Sequence, residues 1–126
     1  MVLDIYKQLL CNGCVSVITR QTTHFGVPDL VAICNRKTIV IEVKSSKRSL
    51  RLLKDLKEEQ KYALTEWEKN GADVYIAIPC DLVGIFPSKK GDCNYAYYVC
   101  LEKLDDSLLG MHDAYTLEYI ISKMQS

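Results

Sequence analysis

Two short runs of apolar, largely β-branched residues, LVAIC at Leu30–Cys34 and KTIVIEV at Lys37–Val43, are separated only by Asn35-Arg36. Runs of that length and composition predict strands, and a two-residue connection with turn chemistry predicts that they fold back as a hairpin. A hairpin commits the chain to an architecture built around a sheet, and this one carries charge with it. Asp29 precedes the first strand, and Glu42 and Lys44 close the second, so the fold-back returns residue 29 to the side of residues 42–44. Side chains alternate faces along a strand, which sets Glu42 and Lys44 on one face and Val43 on the other.

Acidic groups and a lysine are seldom placed in an apolar sheet without a partner or a task. A hard divalent cation such as Mg²⁺ takes oxygen ligands, and two carboxylates with a backbone carbonyl and waters would supply them. A cation held there lowers the pKa of a bound water and neutralises charge on a phosphate. A lysine beside it orients the attacking water or stabilises the pentavalent phosphorus. The plainer alternative is a half-buried ion pair of Glu42 with Lys44 on an ordinary strand.

The rest of the chain surrounds this hairpin with punctuated elements. Residues 3–10 carry apolar side chains at helical spacing and stop at Asn12-Gly13, and residues 14–18 predict a first strand. Residues 20–26 form a polar loop ended by Gly26 and Pro28. A helix is predicted over residues 54–70, with Leu56, Ala63, Leu64 and Trp67 on one apolar stripe and Asn70-Gly71 as its stop. Gln60 lies on that stripe too, where its amide either aims at the site or touches water at the stripe's edge. Residues 74–78 predict a strand returning parallel to the hairpin through a right-handed crossover. Residues 80–94 predict a long loop, and residues 95–101 a covered or edge-pairing strand. Residues 113–124 predict a closing helix with Leu117, Ile120, Ile121 and Met124 inward and Tyr115 and Tyr119 elsewhere around it.

The segments GVPDL, IEVKSS and LKEEQKYALTEWEKNGADVYIAI together resemble the PD-(D/E)XK nuclease superfamily. Within it they are most similar to the small Holliday-junction resolvases of archaea and archaeal viruses, over residues 3–78. The resemblance implies an α/β, restriction-endonuclease-like fold with an αβββαβ core and a central mixed five-stranded sheet flanked by helices. It also implies a homodimer that makes paired nicks in four-way DNA junctions with Mg²⁺, for which Mn²⁺ substitutes. On that pattern Asp29 and Glu42 hold the metal with the Val43 carbonyl, Lys44 acts at the attacking water, and Gln60 faces the metal site or scissile phosphate. Asp4 stands where these enzymes carry a glutamate on the first helix; here Asp replaces Glu, and the macrodipole at the helix N-terminus would also favour it. Arg20 corresponds to their basic residue after the first strand. Lys47, Arg48 and Arg51 are expected on the DNA backbone, where positioning needs charge more than base-edge geometry.

Composition narrows the partners. At 126 residues, one nuclease domain is expected. The net charge is zero, which argues against indiscriminate coating of nucleic acid. Yet residues 37–61 hold eight basic side chains against four acidic, and residues 101–126 hold five acidic against two basic. Positive charge thus gathers next to the proposed site. No apolar run reaches membrane-spanning length and no leader opens the chain, so a cytoplasmic location in a cell or an infected host is expected. Of the six cysteines, Cys11 and Cys14 form a C-x2-C without the second pair that a zinc site needs, and Cys34 reads as a buried apolar residue. Two other functions share these residues: a replication or repair nuclease acting on flaps or ends, and a non-enzymatic module that binds branched DNA.

Overall fold

The computed structural model describes residues 2–19, 27–44, 58–79, 96–101 and 115–124. These form α1 (Val2–Cys11), β1 (Val15–Ile18), β2 (Leu30–Cys34), β3 (Lys37–Val43), α2 (Glu58–Lys69), β4 (Asp73–Pro79), β5 (Ala96–Cys100) and α3 (Leu117–Met124). The strands join one sheet in sequence order, β1-β2-β3-β4-β5. β3 and β4 run parallel and the other neighbours antiparallel. That pattern follows from the connections: Asn35-Arg36 can only reverse the chain, whereas the segment containing α2 is long enough to cross over. The mixed five-stranded sheet flanked by helices is the expected architecture.

The hairpin turn places Asn35 at φ 50° and Arg36 at φ 69°, as both central residues of a type I′ turn require. Asn tolerates this left-handed backbone well. Its side chain also donates to the Met124 carbonyl at 2.9 Å, satisfying an orphan acceptor at the end of α3. Both α1 and α2 stop at a glycine with positive φ, Gly13 and Gly71. After each, N–H groups turn back onto carbonyls of the last turn: Cys14 to Leu9 at 3.0 Å, and Ala72 to Trp67 at 3.1 Å.

Alternation along the strands makes two cores, one on each side of the sheet. On one side Ile5 and Leu9 of α1 and Leu117, Ile120 and Ile121 of α3 pack over Leu30, Ile39 and Ile41. On the other, Leu64 of α2 packs over Val40, Val74 and Ile76. Trp67 departs from the expected stripe: it is 36% exposed while Leu64 is 2% exposed. Rotated by roughly 60° from Leu64 around the helix, its indole reaches only the edge of the contact.

Two further expectations are corrected. Tyr115 is not helical but exchanges backbone hydrogen bonds of 2.8 and 3.0 Å with Tyr98, so its amide and carbonyl cover the outer edge of β5. The helix begins only after Thr116, whose hydroxyl accepts from the Tyr119 N–H at 3.3 Å, an N-cap geometry. Cys34 is buried, as expected, but not as a free thiol: it forms a disulfide with Cys14. The β1–β2 register pairs Val15 with Ile33, so the next step outward sets Cys14 opposite Cys34. Their Cα atoms are 4.5 Å apart, the spacing of a non-hydrogen-bonded cross-strand pair. Among the described residues Cys11 is an exposed free thiol.

Candidate active site

The β2–β3 register pairs Leu30 with Ile41, and one step further it sets Asp29 opposite Glu42. Both side chains are 5% exposed. Directly opposed residues on antiparallel strands hold their Cβ atoms about 5 Å apart, so two carboxylates converge on one small, nearly dry volume. Like charges so placed repel, and a cation between them relieves the repulsion.

The end of β3 is shaped around this pair. The position opposite Val43 is Pro28, which has no N–H to give, and the ladder stops there. The Asp29 carboxylate closes the gap: the Val43 N–H donates to its Oδ2 at 2.8 Å. A strand residue sends its N–H and C=O out by the same edge, so the Val43 carbonyl also leaves on the Asp29 side. Asp29, Glu42 and that carbonyl form an all-oxygen donor set that fits a hard divalent cation. Among the described residues no three His, Cys, Asp or Glu side chains converge, so a third protein ligand here would be a backbone oxygen.

Lys44 continues from β3 through its own N–H, which donates to the Ala77 carbonyl at 2.9 Å. By alternation it shares the α2 side of the sheet with Glu42. Its Nζ donates to Gln60 Oε1 at 3.1 Å. Gln60 is half-buried and turns its amide oxygen toward Lys44. One turn beyond it, Leu64 anchors α2 to the sheet, which fixes where the amide sits.

Asp4 is exposed in the first turn of α1, and α1 packs on the sheet side opposite Glu42 and Lys44. Arg20, Lys47, Arg48 and Arg51 lie outside the described residues. One contact to the site escaped sequence reasoning. Thr19 donates its N–H to the Asp29 carbonyl at 2.9 Å and its hydroxyl to the Pro28 carbonyl. Only the register of β1 on β2, which sets residue 19 opposite residue 29, could have signalled it.

The family model for archaeal Holliday junction resolvases (Hjc) matches residues 9–104, well over half of the chain. This chain belongs to the archaeal Holliday junction resolvase family. The match spans β1 to β5 and so includes every residue of the hairpin constellation. Among solved structures, the chain is similar to Hjc of Archaeoglobus fulgidus, a Holliday junction resolvase from an archaeal hyperthermophile. That match has a TM-score of 0.62 at 18% identity and covers 98% of this chain and 97% of that one. It extends the resolvase fold, which is restriction-endonuclease-like, to both termini. No curated protein matches the sequence.

Proposed function

We propose that this protein resolves four-way DNA junctions by metal-dependent hydrolysis of phosphodiester bonds, as a homodimer that nicks two opposed strands. The observation that carries the proposal is the facing pair of nearly buried carboxylates, Asp29 and Glu42, with Lys44 held beside them by Gln60. Membership of the resolvase family supplies the branched-DNA substrate.

In this reading Asp29, Glu42 and the Val43 carbonyl hold Mg²⁺, with Mn²⁺ as a substitute. The bound ion supplies a water of lowered pKa and offsets charge on the scissile phosphate. Asp29 is fixed for this by the Val43 N–H, so its carboxylate does not reorganise as the cation arrives. Lys44 places an ammonium beside the carboxylates, where it orients the water and stabilises the oxygens of the phosphate as phosphorus becomes five-coordinate. Gln60, accepting from that ammonium, restricts the lysine's rotamers. Water adds to phosphorus, the ester oxygen leaves with a proton, and the strand is nicked. A four-way junction has paired opposing strands, so two-fold symmetry between two copies of the chain would present one such site to each. Arg20, Lys47, Arg48 and Arg51 are proposed to hold the flanking phosphates.

The test is cleavage of a labelled synthetic four-way junction beside matched duplex, flap and single-stranded DNA, with Mg²⁺ or EDTA. Symmetric nicks confined to the junction, dependent on Mg²⁺ or Mn²⁺ and abolished in Glu42→Gln, are the expected result. Cutting mainly at flaps or ends would replace the proposal with a repair nuclease. Tight junction binding without cutting would replace it with a binding module.

A further inference from the structure

We propose that Thr19 is a positioning residue for Asp29, holding the backbone on both sides of that carboxylate; this rests on the reading of Asp29 as a metal ligand. The Pro28 carbonyl precedes the Asp29 Cα and the Asp29 carbonyl follows it. Thr19 engages both, the first through its hydroxyl and the second through its N–H at 2.9 Å. Asp29 lies one residue before β2 starts, and Pro28 brings no amide of its own to the sheet. The peptide joining Pro28 to Asp29 would otherwise be a strand end free to fray. Thr19 extends the β1 ladder by one rung and adds a side-chain bond to the Pro28 carbonyl.

The carboxylate is thereby fixed from two directions. Thr19 sets where its Cα stands, and the Val43 N–H sets where its Oδ2 points, at 2.8 Å. Glu42 stands inside β3, where the parallel ladder to β4 pairs it with Ile76. Asp29 stands outside the strands, one residue before β2, and its backbone is held there by Thr19. Loss of the Thr19 hydroxyl should therefore loosen one ligand and spare the other. Such a change weakens cation binding without abolishing it. Partners that orient metal ligands are typically worth about 10- to 100-fold in metal affinity.

Thr19→Val keeps the β-branched shape and removes only the hydroxyl, and Thr19→Ser restores the hydroxyl on a smaller side chain. Binding of Mn²⁺ alone to the full chain would be measured by titration calorimetry for wild type, both variants and Asp29→Asn, with thermal unfolding in EDTA followed in parallel. Junction cleavage would be measured as a function of Mg²⁺ concentration. The expected result is Mn²⁺ binding weakened about 10-fold or more in Thr19→Val, recovered in Thr19→Ser, with cleavage by Thr19→Val restored at high Mg²⁺. A merely structural defect would not be rescued by metal concentration. Wild-type Mn²⁺ affinity in a folded Thr19→Val would overturn the role of Thr19 while Asp29→Asn still lost binding. Unchanged binding in Asp29→Asn would instead overturn the metal-site reading, and the role of Thr19 with it. Should Thr19→Val fail to fold, the contrast between Thr19→Ala and Thr19→Ser decides on the same readouts.

Discussion

A lysine proposed to act at a scissile phosphate has to be both charged and in place, and four rotatable bonds work against the second requirement. The Lys44 Nζ to Gln60 Oε1 bond of 3.1 Å is the structure's means of holding it. Gln60 gives the ammonium an acceptor that carries no charge, so it orients Lys44 without competing with the carboxylates for its positive charge. Gln60→Ala should therefore lower the rate of junction cleavage by roughly 10-fold, the lower end of what orienting partners contribute. Its cost to folding should be smaller, about 1 kcal/mol, since one hydrogen bond at a half-buried position is lost. Single-turnover cleavage beside urea denaturation checks both. A fall in rate matched by an equal loss of folded protein would show that Gln60 only supports the helix.

At the scale of elements, the site depends on β1 staying in register with β2, because that pairing delivers Thr19 to Asp29. The register is set at both ends: by the Thr19 bonds near the carboxylates and by the Cys14–Cys34 disulfide at the far end. The disulfide spans a sequence separation of 20 residues, for which chain-entropy arguments give about 3 kcal/mol of stabilisation. Reduction, or the paired change Cys14→Ala with Cys34→Ala, should lower the unfolding free energy by that order. Junction cleavage at 25 °C should persist, since the Thr19 end of the ladder remains. Denaturant curves with and without reductant, beside thiol counting, test this; equal stability in both states would mean that the bond contributes nothing. The hairpin, the glycine stops and the facing of Asp29 by Glu42 were legible in the sequence because each is local: alternation, turn chemistry and chain direction act within a few residues. The disulfide, the Thr19 bonds and the Tyr98–Tyr115 bridge were not, because each depends on a register or an edge set by residues far away in sequence. Gln60 falls between these cases. Its helix and stripe were readable, but its partner depended on how α2 sits across the sheet.

For the whole molecule, a net charge of zero and a polyanionic substrate are reconciled only by uneven distribution. The basic excess of residues 37–61 adjoins the carboxylate pair in sequence, and the acidic excess lies after residue 101. A protein built this way should hold DNA through a few local phosphate contacts and gain little from its overall field. That distinction is measurable, because each phosphate contact releases counterions and steepens the salt dependence of binding. The logarithm of the affinity should fall with the logarithm of salt by about 0.9 per contact on duplex arms. If Lys47, Arg48 and Arg51 each meet a phosphate, replacing all three with alanine should reduce that slope by roughly 2 to 3. The loss should be of similar size on junction and duplex, because backbone contacts carry no sequence information and position the protein on any arm. The ratio of junction to duplex affinity should then survive the substitution, leaving discrimination to the shape that two sites present. Binding titrations of Glu42→Gln, the variant expected to bind without cutting, on both DNAs across a salt series measure the slope and the ratio together. An unchanged slope would place the phosphate contacts elsewhere on the molecule, and a collapsed ratio would make these three residues readers of the branch itself.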